Sequence, residues 1–344
     1  MAAAASDVTE ALSGYTVGGV IGKGGFGEVR AALHNMTGQQ VAIKILDRST
    51  SRRWNAVRRE IIAMKAICHP NIVQLLQVAH TERHACLVMT LCTGRDMYAF
   101  IKEERPGGVP EKEAALLFVQ VAEGLRYLHA RGLCHRDIKP ANIIISLPHG
   151  KATIIDMGLA AVSTEPLDKF CGTVRFLAPE MFKRHLSYMG NPVDMWALGV
   201  TLYVLVLAKF PFQGTGPELK RNIIANTPDF PITMTVNLSN MLHRLLKRDP
   251  TKRPSAEEVL RHPFVTSACS PDAFYHPGRD VHTQVRKKVI KRMAKQTGRK
   301  ERDIKSEVEQ WQYDHTTAHY LLLQRAQEEE AKRSGRLHKL FCLR

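Results

Sequence analysis

Short runs of alternating apolar and polar residues dominate the chain from Tyr15 to about Met89. Alternation with a period of two predicts β-strands, and glycine-containing turns such as N-M-T-G separate these runs. The segment from Trp54 to Ile67 differs from these runs, because its apolar residues recur at the three-to-four-residue spacing of a helix. The pattern therefore predicts an antiparallel sheet interrupted by a single helix.

From about Asp96 onward, apolar residues recur at helical spacing over longer stretches. The clearest predicted helices run from Ala114 to His129 and from Asp194 to Leu207, and a third runs from Leu238 to Arg248. The longest apolar run, residues 197–208, is shorter than the roughly 20 residues that span a bilayer. We therefore expect it to be a buried core helix.

These patterns predict an α+β chain with several parts. Residues 1–14 are small and polar, and we expect them to be disordered, whereas residues 15–264 form one large domain. Residues 266–282 carry Ser, Pro, Gly and Asp, which predicts a linker. A small helical unit over residues 283–324 and a charged, basic tail over residues 325–344 follow it.

The net charge of +16 is unevenly distributed, with 16 Lys/Arg against 8 Asp/Glu from Val281 to Arg344. Such a bias fits a nucleic acid, an anionic membrane surface or an acidic partner, and equally a solvated basic face without a specific partner. No basic groove with interleaved aromatic residues is recognisable, so we expect no nucleic-acid partner.

Cysteine usage and the first residues indicate the compartment. The seven cysteines include no C-x-x-C pair, which argues against a zinc ribbon or a disulfide framework and favours a reducing compartment. The start, M-A-A-A-A-S, lacks the basic and apolar regions of a secretory signal. We expect a cytoplasmic protein, with nuclear or cytoskeletal locations as alternatives.

A glycine-rich segment is the first candidate for chemistry. It comprises Gly22-Lys23-Gly24-Gly25-Phe26-Gly27, with Val29 behind it. Glycines let backbone N–H groups approach phosphates that a Cβ would hold off. The motif also resembles a dinucleotide fingerprint, but such a turn opens a helix, and E-V-R-A-A-L after it predicts a strand. A hairpin over phosphates fits better.

Three further segments carry charged groups suited to phosphoryl transfer. Val41-Ala42-Ile43-Lys44 places a lysine on a strand, and Glu60 on the following helix can hold it near phosphate oxygens. His135-Arg136-Asp137-Ile138-Lys139-Pro140-Ala141-Asn142 and Asp156-Met157-Gly158 each accompany an apolar strand. Asp137 is suited to orient a substrate hydroxyl, and Asn142 and Asp156 are suited to coordinate Mg²⁺.

In this order and spacing, with Ala178-Pro179-Glu180 behind them, the motifs over about residues 15–264 resemble the eukaryotic protein-kinase family. The resemblance implies a two-lobed α+β fold, with an antiparallel sheet and one helix in the N-lobe and helices in the C-lobe, around an ATP cleft. It implies ATP and Mg²⁺ as cofactors and Asp137, Lys139, Asn142 and Asp156 as catalytic residues, with Asn142 and Asp156 on the metal. The implied ATP-binding residues are Ile21, Gly22, Lys23, Gly24, Gly25, Phe26, Gly27, Val29, Ala42, Lys44, Glu60, Met89, Thr90, Cys92, Asp96 and Ile144.

The same resemblance assigns finer roles. Met89 corresponds to the gatekeeper, Thr90 to Cys92 to the adenine-binding hinge, and Asp96 to a residue near the ribose. Ala42, Val29 and Ile144 would sandwich the adenine, and Glu180 would pair structurally with Arg253.

Lys139 and Thr173 are similar to residues of the Ser/Thr class, which implies transfer of the γ-phosphoryl of Mg-ATP to Ser/Thr hydroxyls of protein substrates. Asp96 with Ala141 implies at most a mild preference for an upstream arginine. The alternative is a pseudokinase that acts as a scaffold or an allosteric module, but pseudokinases usually lose Lys44, Asp137 or Asp156, and all three are present.

Two departures from the family pattern concern packing and regulation. Met157 replaces a phenylalanine of similar bulk, which we expect the fold to tolerate. Lys169 occupies the usual position of an activating phosphothreonine, so we expect Arg136 to be satisfied by Asp168 or Glu165. Phosphorylation at Ser163 or Thr164 is the alternative.

The C-terminal unit, with Tyr313, Ala318 and Tyr320-Leu321-Leu322-Leu323, resembles the ubiquitin-associated-like three-helix domain of AMP-activated-kinase relatives, a group that includes microtubule-affinity-regulating and sperm-motility kinases. We expect it to dock on the catalytic domain through this apolar face without binding ubiquitin. The basic tail could contact an anionic lipid surface or calmodulin, or be disordered. We expect a monomer.

Overall fold

The chain forms two compact units in a computed structural model that describes residues 8–24, 27–146, 150–183, 185–269 and 284–341. Unit 1 combines Met1–Lys65, Gln74–Leu91 and Asp280–Arg344. Unit 2 combines Ala66–Val73 and Cys92–Arg279. Most of the predicted linker lies outside the described residues.

A five-stranded antiparallel sheet forms the framework of unit 1, as the alternating pattern predicts. Its order is β1-β2-β3-β5-β4. The strands are β1 (Tyr15–Gly24), β2 (Gly27–His34), β3 (Gln40–Asp47), β4 (Leu75–His80) and β5 (His84–Thr90), and the helix between β3 and β4 is α1 (Ser51–Lys65). Residues 41–44 of β3 are all buried, because this strand lies in the middle of the sheet.

Residues 8–14 correct part of the prediction that residues 1–14 are disordered, and residues 1–7 lie outside the described residues. Residues 8–11 form a helical turn, and the Leu12 amide donates to the Val8 carbonyl oxygen at 3.1 Å. The Leu12 side chain is 1% exposed, and Val8 and Ala11 contact the same apolar cluster. Burial of these apolar side chains offsets the entropy of ordering the segment.

Three helices at the C-terminal end of unit 1 confirm the predicted small helical unit. They are α9 (Lys287–Thr297), α10 (Glu301–Glu309) and α11 (His315–Phe341). Their shared core comprises Val289, Ile290, Met293, Ile304, Val308, Tyr320 and Leu323. Helix α11 passes the predicted boundary at residue 324, because A-Q-E-E-E-A-K-R contains neither Gly nor Pro and is rich in strong helix formers.

Helix α11 docks on the five-stranded sheet, which confirms the expected contact with the larger domain. Ala318 and Leu322 belong to one buried cluster with Val41 and Val88. The Gln39 side chain also donates a hydrogen bond to the Leu322 carbonyl oxygen at 3.0 Å. The predicted apolar face is therefore divided between this sheet and the core of the three helices.

A cluster of aromatic rings continues this docking contact. The His34 ring stacks on the His315 ring at a centroid distance of 4.9 Å and lies 5.5 Å from the His319 ring. Tyr15 meets His34 edge-on at 5.1 Å. A Cβ added to Gly14 would lie 2.1 Å from His315 Nε2, so the backbone and the ring approach closely only because residue 14 is glycine.

Unit 2 is mainly helical, so both parts of the predicted α+β fold are confirmed. Its helices are α2 (Met97–Glu104), α3 (Glu111–Ala130), α4 (Gly190–Leu207), α5 (Gly216–Ala225), α6 (Val236–Leu245), α7 (Ala256–Leu260) and α8 (Pro263–Thr266). Its strands are β6 (Arg95–Asp96), β7 (Leu133–Cys134), β8 (Ile143–Ser146), β9 (Lys151–Ile154) and β10 (Ala161–Val162). The short sheets β6-β8-β9 and β7-β10 position the catalytic loop.

Helix α4 forms the centre of unit 2. Among the described residues, it alone has the length and apolar composition of a membrane-spanning helix, but 83% of that stretch is buried inside the protein. Trp196 and Tyr203 are each 1% exposed. This burial identifies α4 as the core helix that its composition predicts.

Candidate active site

The glycine-rich segment forms a β-hairpin, which excludes the strand-to-helix turn of a dinucleotide fold. Gly22 pairs with Val29, and Gly24 pairs with Gly27. Gly27 has a φ of +151°, and a Cβ there would lie 1.9 Å from the Ile45 carbonyl oxygen, so only glycine fits. The predicted residues Gly25 and Phe26 lie outside the described residues.

Lys44 and Glu60 form the buried ion pair that the sequence predicts. Lys44 Nζ lies 2.6 Å from Glu60 Oε1, and the two side chains are 11% and 4% exposed. Strand β3 carries the lysine and helix α1 carries the glutamate. A buried pair fixes the position of the ammonium group, because neither charge is readily left without its partner.

The other predicted nucleotide residues of unit 1 lie on neighbouring strands. Ala42 on β3 is directly opposite Met89 on β5, and Met89 is 8% exposed. The Thr90 hydroxyl accepts the Gln74 amide at 3.2 Å. Ile21 is 53% exposed on β1, and Lys23 is exposed as well.

Cys92, Asp96 and Ile144 belong to unit 2. Asp96 pairs with Ile144 between β6 and β8, and its Oδ1 accepts the Ala99 amide at 2.9 Å at the start of α2. The side chain predicted near a ribose is therefore the N-cap of a helix, which holds its carboxylate in one orientation. Cys92 is partly exposed and immediately follows Leu91, the last residue of the second segment of unit 1.

The catalytic loop is anchored by the buried carboxylate of Asp194, a role that motif comparison did not reveal. Asp194 accepts the backbone N–H of His135 at 2.8 Å and of Arg136 at 2.7 Å. A third bond joins it to His129 Nε2 at 3.0 Å. Arg136 has a φ of +66°, which is uncommon for a non-glycine residue, and these bonds hold that strained backbone in place.

Asp137, Lys139 and Thr173 form a closed triangle of hydrogen bonds. Lys139 Nζ donates to Asp137 Oδ2 and to Thr173 Oγ1, each at 2.7 Å. Asp137 Oδ1 accepts the Thr173 hydroxyl at 3.0 Å and the Thr173 amide at 3.1 Å. The carboxylate is therefore fixed by the loop that carries Lys139 and by a segment 36 residues further along the chain.

The donor set of Asn142 and Asp156 fits a magnesium ion. Asn142 Nδ2 donates to the Asp137 carbonyl oxygen at 2.9 Å and to Asp137 Oδ2 at 3.0 Å, so its amide nitrogen is committed. Its Oδ1 and the Asp156 carboxylate supply hard oxygen ligands of the kind that Mg²⁺ prefers. Asp156 has a φ of +65°, so its backbone is held in a sparsely populated conformation, as at many functional sites.

The two departures from the family pattern have different consequences. Met157 is 1% exposed, which confirms that the flexible side chain fills a buried position. The prediction that Asp168 or Glu165 satisfies Arg136 is wrong, because within the described ranges neither acid is within ion-pair distance of it, and both are exposed. Arg136 Nε instead donates to the Leu159 carbonyl oxygen at 2.7 Å, and its Nη1 lies 3.4 Å from the Tyr188 hydroxyl.

Tyr188 is a second residue that motif comparison missed. Burial raises the pKa of Tyr188 to about 12, although its hydrogen bond with Arg136 acts in the opposite direction, so the phenol remains a donor at neutral pH. The sequence contains little that would indicate this role for Tyr188, since the residue lies outside every recognisable motif.

The predicted Glu180–Arg253 pair is present and structural. Two bonds of 2.6 Å join the carboxylate oxygens of Glu180 to the guanidinium of Arg253. Arg253 also lies over the Trp196 ring at 5.0 Å. This bidentate, buried pair ties the end of the activation segment to the helical core.

Comparison with known proteins identifies the family of this chain. A family model described as "Protein kinase domain" matches residues 15–265. Mouse (Mus musculus) sperm motility kinase Z is 35% identical over 312 residues, which cover 90% of this chain and 61% of that protein. Mouse sperm motility kinase 3A is 34% identical over 325 residues, which cover 94% of this chain and 63% of that protein. The chain thus spans a little over three fifths of the length of these relatives, and it belongs to the protein kinase family.

Proposed function

We propose that this chain is an active Ser/Thr protein kinase that transfers the γ-phosphoryl group of ATP, with Mg²⁺, to Ser/Thr hydroxyls of protein substrates. The observation that carries the proposal is the triangle of Asp137, Lys139 and Thr173, in which the carboxylate, the ammonium group and the hydroxyl are all hydrogen-bonded to one another. Such positioning is most of what phosphoryl transfer requires from a protein.

Asp137 orients the substrate hydroxyl and receives its proton. The hydroxyl oxygen forms a bond to phosphorus while the bond from phosphorus to the ADP oxygen breaks, and ADP keeps that electron pair. Lys139 Nζ, at 2.7 Å from Asp137 Oδ2, supplies a positive charge beside the oxygens that become more negative. A general base of this kind contributes roughly a hundredfold to ten-thousandfold to the rate.

Lys44 and the proposed metal ligands have separate roles. We assign Lys44, held by Glu60 at 2.6 Å, to the α- and β-phosphate oxygens. We assign Asn142 and Asp156 to Mg²⁺, which when bound neutralises phosphate charge. The assignment of the remaining nucleotide residues to the adenine and ribose rests on the family pattern.

The Ser/Thr class is supported by Lys139 and Thr173, which hydrogen-bond each other beside Asp137. Asp96 remains our candidate for a mild preference for an upstream arginine, although one of its oxygens already accepts the Ala99 amide. A pseudokinase is the alternative, and no observation favours it, because Lys44, Asp137 and Asp156 are all present.

The finer assignments outside the catalytic residues are also proposals. We propose that residues 283–324 are a ubiquitin-associated-like unit of an AMP-activated-kinase relative, supported by three helices with their own apolar core. Its docking on the sheet favours a structural role over ubiquitin binding. Contact of the tail with an acidic surface or calmodulin, a monomeric state and a cytoplasmic location remain predictions from the sequence.

The experiment is phosphorylation of an arrayed peptide library by the wild type and by Asp137→Asn, followed by phosphoamino-acid analysis. We expect phosphoserine or phosphothreonine from the wild type, and a loss of roughly a hundredfold or more in Asp137→Asn. Nucleotide binding measured in parallel should remain in the variant. Phosphotyrosine products would contradict the Ser/Thr class, and a silent wild type that binds ATP would favour the pseudokinase.

A further inference from the structure

The activation segment is ordered in this structure without a phosphorylatable residue at position 169. In many kinases, a phosphate on this segment pairs with the arginine before the catalytic aspartate and so orders the segment. Here that arginine, Arg136, is 8% exposed and bonds to uncharged oxygens, and the Lys169 side chain is exposed. Arg136 therefore contacts the start of the segment through the Leu159 carbonyl oxygen, and another group must connect it to the segment near position 169.

The Tyr188 hydroxyl lies at that connection. It donates to the Lys169 carbonyl oxygen at 2.8 Å and lies 3.4 Å from Arg136 Nη1, from which it accepts. A tyrosine hydroxyl has one proton to donate and lone pairs to accept, so both bonds can exist together. Because the segment contributes a backbone carbonyl, the identity of side chain 169 is irrelevant to this contact.

The backbone of Tyr188 reinforces the contact. Its amide donates to the Leu167 carbonyl oxygen at 3.0 Å, and its own carbonyl oxygen accepts the Leu167 amide at 2.8 Å. The side chain is 4% exposed, so water competes little for the hydroxyl. The segment is thus held near Lys169 by Tyr188 and, four residues later, at Thr173 by Asp137 and Lys139.

We propose that Tyr188 is a positioning residue that replaces the activating phosphate, joining Arg136 to the activation segment through its hydroxyl group. The proposal rests on the proposed kinase function and adds its regulation: the segment is ordered without an upstream kinase. Tyr188 acts through Arg136 and Lys169 and touches no reacting atom.

Tyr188→Phe is the test variant, because it removes the hydroxyl and keeps the buried ring. Tyr203→Phe is the matched control, since Tyr203 is 1% exposed and its hydroxyl donates to the Asp229 carbonyl oxygen at 2.6 Å, away from the segment. Both variants lose one bond from a phenol to a backbone carbonyl, and Tyr188→Phe also loses the longer bond from Arg136 Nη1, so its loss of thermal stability should be equal to or slightly larger than that of Tyr203→Phe.

The first readout is tryptic cleavage after Lys169, measured by mass spectrometry relative to cleavage after Lys300, since both lysines are exposed and lie outside helices. Cleavage after Lys169 requires release of the carbonyl oxygen that Tyr188 holds. We expect this relative rate to rise about tenfold in Tyr188→Phe and to stay unchanged in Tyr203→Phe. Equal rates in the two variants would overturn the proposal.

The second readout is kcat of protein that mass spectrometry shows to be free of phosphate. We expect kcat to fall about tenfold in Tyr188→Phe, with KM for ATP within about twofold of wild type. Equal kcat values in the two variants, or a requirement for phosphate at Ser163 or Thr164, would overturn it. The cleavage readout needs no activity, so it still decides on Tyr188 if the proposed function itself fails.

Discussion

Two regions of the molecule are held by opposite kinds of interaction. The catalytic loop of unit 2 depends on charged groups, with the Asp194 carboxylate on two backbone amides and Lys139 on Asp137. The docked helix α11 of unit 1 depends on neutral rings and aliphatic side chains, with His34 and His315 stacked at 4.9 Å. The first region therefore depends on charged hydrogen-bond partners, whereas the second depends on histidines that are buried in the uncharged form.

The largest effect should come from breaking the charged region. Asp194→Asn keeps the shape but has only one oxygen, so at least one buried N–H of His135 or Arg136 loses its acceptor. We expect the free energy of unfolding to fall by about 1–3 kcal/mol, and kcat to fall about a hundredfold because the loop shifts. Urea unfolding and initial rates measure the two effects.

Asp229→Asn is the control for that change, because its side chain is 83% exposed. It should leave both quantities within error of the wild type. If Asp194→Asn behaved like Asp229→Asn, the buried carboxylate would not be what anchors the loop.

A smaller effect should appear in the second region, whose free energy of unfolding should depend on pH. Burial and the neighbouring His315 and His319 lower the pKa of His34 to about 3, and burial and His315 lower the pKa of His319 to about 4. The other ionisable groups beside this cluster are Tyr15 and Asp314, and Asp314 partly opposes the lowering of the His315 pKa. Above about pH 6.5, such a histidine is neutral in both the folded and the unfolded state; as the pH falls below that value, the unfolded chain binds a proton that the folded cluster does not, so the fold loses stability.

From pH 7.0 to 5.5, we expect the free energy of unfolding of unit 1 to fall by about 1 kcal/mol for each of these two rings. His34→Phe keeps a ring but cannot titrate, so the fall in its free energy of unfolding should be smaller by about 1 kcal/mol. His185→Asn, at an exposed histidine of unit 2, should keep the full dependence. An equally steep fall in His34→Phe would show that this cluster is not the acid-sensitive element.

The same contrast explains how much the sequence could predict. Asp137, Lys139 and Asn142 lie within six residues of chain, so their spacing alone indicates a shared site, and the structure brings them together. Tyr188 and Arg136 are 52 residues apart and meet through a hydroxyl group, for which no local pattern exists. The stacking of His34 on His315 depends in the same way on tertiary contacts.

The ordered residues 8–14 are a different case, because their sequence does contain a helical pattern. Val8, Ala11 and Leu12 have helical spacing, and all three contact the core of unit 1. In so short a segment, the helical spacing is weaker evidence for order than the small and polar residues are for disorder. Its order comes from the sheet and α11, which provide the apolar surface against which it packs.

Kinase activity without an activating phosphate is tested most directly by the initial rate of γ-phosphoryl transfer by bacterially produced, phosphatase-treated protein. Intact mass would first establish that no phosphate remains, and ATP with Mg²⁺ and a serine-containing peptide pool would then be added. We expect the treated enzyme to retain the rate of the untreated enzyme and the product to be phosphoserine. A rate that disappears on phosphatase treatment and returns with phosphate at Ser163 or Thr164 would contradict this expectation.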